Sequence, residues 1–114
     1  MITGTGIDIV NIKRIKKSLS TYGDKFIQKI LSDKEIEEIP AKKKEEFIAG
    51  RFAAKEALVK ASGISLNFNA ITILNDSNGK PYILKLPNEI KNKKVHLSIS
   101  HDSDYAAAFV IIEK

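Results

Sequence analysis

A long stretch rich in alanine, lysine, glutamate and leucine, residues 41–62, constrains the fold of this 114-residue chain more than any other feature. These residue types favour helix, no proline interrupts them, and Gly63 follows as a natural C-terminal stop. Apolar side chains recur along the stretch at helical spacing, at Phe47, Ala54, Leu58 and Ala61. The spacing predicts one long helix with a side that packs against a core.

Strand and turn patterns surround this helix. Five segments have the β-branched or alternating character of strands, at residues 2–10, 70–75, 81–86, 94–100 and 105–112. The turn-forming residues 76–79 make the second and third of these segments a hairpin. Capping and spacing signals also predict three short helices before the long one, at residues 12–20 behind Asn11, from Asp24 to Ile30, and from Ser32 to a point before Pro40.

The order of these elements indicates an α+β fold in a single small domain, residues 1–114. In this fold an antiparallel β-sheet packs on the long helix, and the short helices lie near the N-terminus. A chain of this length buries only a modest fraction of its surface, and a small sheet leaves open edges. Oligomerisation is therefore expected.

The composition narrows the class of protein. With 43% hydrophobic and 29% charged residues, the chain is typical of globular proteins and too apolar to be disordered. No apolar run is long enough to span a bilayer, no secretory signal begins the chain, and no cysteine is present for a disulfide or thiolate site, so a cytoplasmic location is expected. The net charge of +5 suggests an anionic partner, whether nucleic acid, an acidic protein or a phosphorylated small molecule, although simple solvation explains it too.

Asp8 lies inside the first predicted strand, in the sequence GTGIDIV at residues 4–10. A carboxylate flanked by isoleucines risks losing its water. That loss is costly unless the carboxylate is paired, hydrogen-bonded or bound to a metal ion. Asp8 is therefore a candidate functional residue that needs a second group to explain it.

The predicted long helix carries the sequence RFAAKEALVKA, residues 51–61. Glu56 and Lys60 are four residues apart and lie on one helical face. One interpretation is a surface ion pair, worth roughly 0.2–0.5 kcal/mol. Arg51 and Lys55 have the same spacing, and solvation explains them equally well.

Packing of the first strand beside the long helix would bring Asp8 and Glu56 together. Two close carboxylates repel unless one takes a proton or a cation lies between them. Oxygen ligands suit a hard ion such as Mg²⁺, which commonly binds one or two carboxylates plus substrate phosphates. Lys60 as a point charge and Arg51 as a bidentate clamp would then suit a substrate that carries a pyrophosphate.

Both histidines lie in the sequence HLSISHD, residues 96–102. His101 ends a predicted strand, where functional groups often project, whereas His96 lies in mid-strand on the polar face. A hydrolase that uses Ser100 and His101 is one alternative, although the chain has no nucleophile elbow. A nucleic-acid-binding module is another, motivated by the net charge but weakened by the 7% aromatic content and the absence of tryptophan.

Three segments occur in order along the chain: GTGIDIV, RFAAKEALVKA and SISHD. Together with NGKP at 78–81 and YAAAFV at 105–110, they resemble the holo-(acyl-carrier-protein) synthase family, the small bacterial 4′-phosphopantetheinyl transferases. The match covers nearly the whole chain, and residues 20–46 carry little of it. The resemblance implies an enzyme of fatty acid biosynthesis that moves 4′-phosphopantetheine from coenzyme A to a serine of apo acyl carrier protein and releases adenosine 3′,5′-bisphosphate.

The resemblance also implies roles for individual residues. Asp8 and Glu56 look like the family's Mg²⁺ ligands, and with Lys60, near the reacting phosphate, they make up the expected catalytic set. Arg51 and His101, together with Lys60, look like the groups that hold the phosphates of coenzyme A. The general base stays open between a water near the metal and one of the carboxylates.

The family resemblance further implies partners. Its members are typically trimers with each active site between neighbouring subunits, so His101 is expected to reach a site built mainly from another chain. Lys13, Arg14 and Lys17 on the first predicted helix are expected to steer and dock an acidic acyl carrier protein. Neither nucleic acid nor a membrane is expected as a partner.

Overall fold

The computed structural model describes residues 1–114. The strands are β1 (Ile2–Asn11), β2 (Thr72–Asn75), β3 (Pro81–Lys85), β4 (Lys94–His101) and β5 (Tyr105–Glu113). The helices are α1 (Ile12–Tyr22), α2 (Asp24–Ile30), α3 (Asp33–Glu37) and α4 (Lys44–Ser62), with 3₁₀ turns at Phe68–Ala70 and Asn88–Ile90. The predicted α+β class, with an antiparallel sheet, one long helix and short N-terminal helices, is confirmed.

The main sheet has three antiparallel strands in the order β1-β5-β4, so the last strand of the chain is the central one. In this register Ile7 lies opposite Phe109, and His101 lies opposite Ala106. The predicted hairpin forms, but β2 and β3 pair only with each other and make a separate two-stranded sheet. Pro87, which has no N–H to donate, follows this hairpin and helps to end its pairing.

Helix α4 packs across the inner face of the main sheet. Alanines dominate the buried side of α4. The side chains of the sheet that pack against it are small or β-branched, at Ala106, Ala108, Val110 and Ile112. Small residues on both sides allow the helix axis to lie close to the strands. The core therefore sits between α4 and the sheet, and α1, α2 and the hairpin extend it.

The predicted caps form, but two helix ends differ from the prediction, and one of them is that of α1, which runs to Tyr22 instead of ending at 20. Asn11 accepts a hydrogen bond from the backbone of Lys13, Ser32 forms the predicted capping box, and Gly63 ends α4 with φ of 75°. The long helix begins at Lys44 instead of at 41, because Lys43 adopts a left-handed conformation with φ of 61°. Consecutive lysines are unfavourable in a first helical turn, where the backbone dipole is positive.

None of these helices combines the length and the apolar character that a membrane crossing requires.

Candidate active site

Asp8 and Lys60 meet where β1 crosses α4. The Nζ of Lys60 donates to Oδ1 of Asp8 at 3.2 Å and to the carbonyl oxygen of Ile7 at 2.9 Å. The side chain of Asp8 is 16% exposed, and that of Lys60 is 54% exposed. Asp8 is therefore mostly buried between β1 and α4, with one carboxylate oxygen bound to the ammonium of Lys60. The site is open to solvent on the side of Lys60.

Two glycines bring β1 close enough to α4 for this contact. A Cβ at Gly4 would lie 2.0 Å from the carbonyl oxygen of Ala61, and one at Gly6 would lie 2.0 Å from that of Ala57. Alternate residues of a strand share a face, so Asp8 points to the same side as both glycines. Gly4 approaches Ala61 and Gly6 approaches Ala57, so each step of two residues along β1 leads one turn closer to the start of α4. The next residue on this face, Asp8, is therefore expected beside the helical turn that contains Glu56.

Glu56 lies on α4 one turn before Lys60 and is half-buried. The surface ion pair between Glu56 and Lys60 does not form, because Lys60 pairs with Asp8 instead. Asp8 and Lys60 thus meet at one corner between β1 and α4, and Glu56 lies on the same face of α4, one turn before Lys60. The two carboxylates predicted to converge lie on facing elements of that corner.

The donor set of this corner fits a hard cation. The chain has no cluster of three or more histidine, cysteine, aspartate or glutamate side chains that would enclose an ion. Two carboxylates leave most of an octahedral shell to water or to phosphate oxygens, which is the usual arrangement for Mg²⁺. Asp8 and Glu56 are the residues that would hold the ion, and Lys60 would accompany the phosphate.

Arg51 is buried and largely committed to the protein. Its Nε and Nη2 donate to the carbonyl oxygen of Ile73 at 3.3 and 3.2 Å, and Nη2 also donates to Oδ1 of Asn75 at 3.3 Å. The guanidinium lies 4.2 Å from the ring centre of Phe47. Burial lowers the pKa of Arg51, and the nearby charges of Glu35 and Glu38 oppose this shift.

One nitrogen of Arg51 remains available. Nη1 donates no hydrogen bond within the chain, and no buried side-chain nitrogen lacks a partner, so Nη1 reaches accessible space. That space is a cleft of about 320 Å³ that Arg51 shares with His101, Lys42 and Lys43. Of the three residues predicted to hold coenzyme A phosphates, the structure brings Arg51 and His101 to one cleft, whereas Lys60 lies outside it. Lys42 and Lys43, which were not predicted, line the same cleft.

His101 is exposed at the end of β4, where its Nδ1 pairs with Oε1 of Glu46. Ser100 is not its partner, and the carboxylate of Asp102 accepts from the backbone N–H of Ser103. The chain thus does not assemble the Ser100–His101 arrangement that a hydrolase of this kind would need.

The three predicted docking residues of α1 are all exposed. Ile15 anchors the helix in the core, whereas Lys13, Arg14 and Lys17 point to solvent. Beyond the C-terminal end of α1 lies a larger cleft of about 740 Å³, which we call the α1–α2 cleft. Its lining combines apolar rings with amines, notably Phe26, Phe52, Phe68, Lys25 and Lys29.

A buried ion pair was missed by the sequence reasoning. Lys55 and Glu35 are both fully buried, with 2.5 Å between Nζ and Oε1. Burial lowers the pKa of Lys55 to about 8, and the charge of Glu35 and its hydrogen bond resist this shift. The interpretation of Lys55 as a solvated neighbour of Arg51 is therefore wrong. Lys55 lies seven residues after Ile48 and three residues before Leu58. This helical spacing is a sequence signal that places Lys55 on the buried side of α4.

Comparisons with known proteins agree with this geometry. A family model described as the 4′-phosphopantetheinyl transferase superfamily matches residues 4–110. A holo-(acyl-carrier-protein) synthase of Anoxybacillus flavithermus is 46% identical over 121 residues, which cover 100% of this chain and 98% of that protein. The crystal structure of holo-(acyl-carrier-protein) synthase from Neisseria meningitidis matches with a TM-score of 0.90 and 39% identity over 100% of both chains.

A further match is the Helicobacter pylori holo-(acyl-carrier-protein) synthase, solved in complex with coenzyme A. It has a TM-score of 0.83 and 38% identity, and the match covers 96% of this chain and 99% of that one. The matched region of the family model includes Asp8, Glu56, Lys60 and the other predicted site residues. The resemblance seen in the sequence is confirmed, and this chain belongs to the 4′-phosphopantetheinyl transferase superfamily.

Proposed function

We propose that this chain is a holo-(acyl-carrier-protein) synthase. It transfers 4′-phosphopantetheine from coenzyme A to a serine of apo acyl carrier protein, and releases adenosine 3′,5′-bisphosphate. The observation that carries the proposal is the contact of Lys60 with Asp8 beside Glu56, in a chain of this superfamily. A cytoplasmic location and a role in fatty acid biosynthesis follow from the proposed acceptor.

The proposed reaction is a phosphoryl transfer. The serine oxygen of the acceptor forms a bond to the phosphorus that carries pantetheine, and the bond from that phosphorus to the bridging oxygen breaks. The bridging oxygen leaves on adenosine 3′,5′-bisphosphate, and the serine proton passes to a base, either a water near the metal site or one of the two carboxylates. Because the nucleophile belongs to the acceptor, this chain needs none of its own.

Asp8, Glu56 and Lys60 are the proposed catalytic residues. Asp8 and Glu56 hold Mg²⁺, which when bound neutralises charge on the pyrophosphate. Lys60 has an exposed ammonium that already lies against Asp8, so a modest side-chain movement places it on a phosphate oxygen. A fixed positive charge at that position stabilises the charge that develops on the leaving group.

The cleft of Arg51 and His101 is the proposed site for the remaining phosphate of coenzyme A. Nη1 of Arg51 is free, and its other nitrogens hold the guanidinium rigidly against Ile73 and Asn75. A pre-positioned guanidinium loses little freedom when it binds an anion. His101, Lys42 and Lys43 add further donors to the same cleft.

The acceptor is proposed to dock on α1 and the neighbouring α1–α2 cleft. The exposed cations of α1 attract an acidic protein over a distance of about 8–10 Å at physiological salt. The cleft, with phenylalanine rings below and Lys25 and Lys29 among its lining residues, suits an apolar side chain that projects from an acidic surface.

The outer face of the main sheet is the proposed contact between subunits of a homotrimer. Ile7 and Ile9 on β1 are 64% and 65% exposed, and Phe109, directly across from Ile7, is 43% exposed. A contiguous apolar patch of this kind on a sheet face marks an interaction surface. The assembly would allow His101 of one chain to serve the site of its neighbour.

Intact mass spectrometry of apo acyl carrier protein tests the proposed reaction. The acceptor is incubated with this protein and coenzyme A, with Mg²⁺ or with EDTA. We expect the mass of one phosphopantetheine to be gained, on the serine, only when the metal is present. No gain with several carrier proteins would refute the transferase activity, and an equal gain in EDTA would refute the metal dependence.

Two carboxylate variants test the proposed metal ligands. We expect Asp8→Ala and Glu56→Gln to fold like the wild type and to lose transfer by about 100-fold or more. Glu89→Gln, which neutralises an exposed carboxylate elsewhere, is the matched control and should keep full activity. A folded Glu56→Gln protein with wild-type activity would remove Glu56 from the site.

A further inference from the structure

The buried ammonium of Lys55 joins the two walls of the α1–α2 cleft. Its Nζ donates to the carbonyl oxygen of Ile30 at 2.8 Å and to that of Phe68 at 2.9 Å. Ile30 is the last residue of α2, and Phe68 is the first residue of the 3₁₀ turn that follows α4. Both residues line the α1–α2 cleft, so one cation underneath the cleft is bound to each side of it.

The remaining contacts of Lys55 make this connection rigid. Nζ also donates to the carbonyl oxygen of Ile71 at 2.9 Å and to Oε1 of Glu35 at 2.5 Å. Oε2 of Glu35 in turn accepts from the backbone N–H of Ile73 at 3.0 Å, and Oε1 accepts from that of Ser32. The three hydrogens of the ammonium are shared among these four acceptors, and the carboxylate that neutralises it is fixed from two sides.

A second bridge crosses the same gap nearer the surface. The side-chain amide of Asn69 donates to the carbonyl oxygen of Gln28 at 3.3 Å. Gln28 lies in α2 and Asn69 in the 3₁₀ turn, so this bond also links the two walls. The buried and the exposed bridge together define the separation of α2 from the turn.

Stability alone is a weak reason for such a pair. A buried ion pair is often no more stabilising than well-packed apolar side chains of the same volume. Lys55 has no exposed surface, so it touches neither coenzyme A nor the acceptor. What it does contact is the backbone of both walls of the cleft in which, on the proposed function, the acceptor docks.

We propose that Lys55 is a positioning residue that sets the width of the α1–α2 cleft, and thereby the affinity for the acyl carrier protein. The inference rests on the proposed function, since it assigns the acceptor to this cleft. Lys55 acts only through the carbonyl groups that it holds, and it takes no part in the chemistry at Asp8 and Glu56.

Steady-state kinetics of Lys55→Met separate this role from a catalytic one. We expect the KM for apo acyl carrier protein to rise about tenfold or more, and the KM for coenzyme A and kcat to stay within about twofold of the wild type. Hydrogen exchange should increase at the amides of residues 28–31 and 66–71, which form the two walls. A folded Lys55→Met protein with an unchanged KM for the acceptor overturns the proposal.

A remote core variant controls for general destabilisation. Ile112→Ala removes a buried side chain from β5, away from the α1–α2 cleft, and should leave the KM for the acceptor unchanged. If Ile112→Ala raises this KM as much as Lys55→Met does, the effect is not one of positioning and the proposal fails.

Two further variants cover a failure of Lys55→Met to fold. The double variant Glu35→Leu/Lys55→Met strands no buried charge, and Asn69→Ala removes only the exposed bridge to Gln28. Both are expected to raise the KM for the acceptor selectively, and an unchanged KM in the folded double variant overturns the role of Lys55. If the wild-type protein modifies no acceptor, the proposed function fails first, whereas a wild-type protein that is active with unaffected variants sinks only the role of Lys55.

Discussion

At the scale of single residues, Lys60 and Lys55 show how one helix uses the same side chain in opposite ways. Lys60 is half-exposed and holds Asp8 by one bond of 3.2 Å, whereas Lys55 is fully enclosed and meets four acceptors. An exposed ion pair contributes about 0–1 kcal/mol, so Lys60 is free to leave Asp8 for a better anion. Lys55 cannot leave without stranding the charge of Glu35.

Lys60→Ala is therefore expected to separate activity from stability. Loss of its ammonium should lower the free energy of unfolding by only about 1 kcal/mol, because the lysine side of the pair with Asp8 is open to solvent. Transfer should fall by about 100-fold or more, as for other groups that stabilise developing charge. Urea unfolding and the mass-spectrometric assay measure the two quantities, and Lys85→Ala, another exposed lysine, is the control.

For the Lys55–Glu35 pair we expect a large effect on stability instead of on the chemical step. Glu35→Leu and Lys55→Met alone should each lower the free energy of unfolding by about 3–5 kcal/mol, because each leaves one buried charge without its partner. The double variant should lose clearly less than the sum of the two. Urea unfolding of all four proteins gives the coupling energy, and additive losses would mean that the two charges do not depend on each other.

The site residues differed in how far sequence could predict them. Asp8 could be proposed because a carboxylate in an apolar strand is a local pattern, and Glu56 and Lys60 because their segment resembles that of a known family. Lys55 was not, since the carbonyl groups that hold it belong to two segments distant from it in sequence, one at Ile30 and the other at Phe68 and Ile71. The burial of Arg51 depends in the same way on β2, which its side chain meets only after the chain has folded.

At the scale of elements, the close approach of β1 to α4 is what brings Lys60 to Asp8 at the proposed catalytic corner. The order of strands and helices, their caps and the stop at Gly63 were predictable from residue patterns. The split into two sheets and the late start of α4 were not, because they depend on which strands find partners. Gly4 and Gly6 link the sequence to this arrangement of elements. Because they have no Cβ, they allow β1 to lie against the backbone of α4, and this contact sets the position of Asp8.

Gly6→Ala tests this connection. The added Cβ would lie 2.0 Å from a backbone oxygen of α4, which no side-chain rotation relieves. We expect the free energy of unfolding to fall by about 1–3 kcal/mol or more, and transfer to fall with it as Asp8 moves away from Glu56. Thermal unfolding and the transfer assay report on both.

Gly50→Ala is the matched comparison within α4. Its Cβ would meet only Cγ2 of Ile99, at 3.1 Å, and alanine is favoured over glycine in a helix by about 1 kcal/mol. Its stability should therefore be close to that of the wild type. Equal losses in Gly6→Ala and Gly50→Ala would show that contact between β1 and α4 is not the sensitive feature.

At the scale of the whole molecule, the main sheet has one covered and one open face. The inner face packs on α4, whereas the outer face presents isoleucines and aromatic rings to solvent. The net charge of +5 opposes close association of like chains, so apolar burial on this face has to outweigh it. The proposed active site and the proposed assembly then both depend on the same sheet.

Phe109→Lys is expected to dissociate the assembly. A charge at the centre of the open face would be buried without a partner in the proposed trimer, so size-exclusion chromatography with light scattering should show monomers. Transfer should decline with assembly, because His101 then lacks its neighbour. Tyr82→Lys, an exposed aromatic on the separate hairpin, is the control, and a fully active Phe109→Lys monomer would contradict a shared site.

The central position of β5 also governs when the sheet forms during synthesis. β1 is made before the other elements of this domain, yet its strand partner β5 is made after all of them. During that interval β1 exposes its unpaired backbone and its isoleucines while the helices are already available to fold. Translation speed and chaperones that bind nascent chains are thus expected to affect the yield of this protein more than its final stability does.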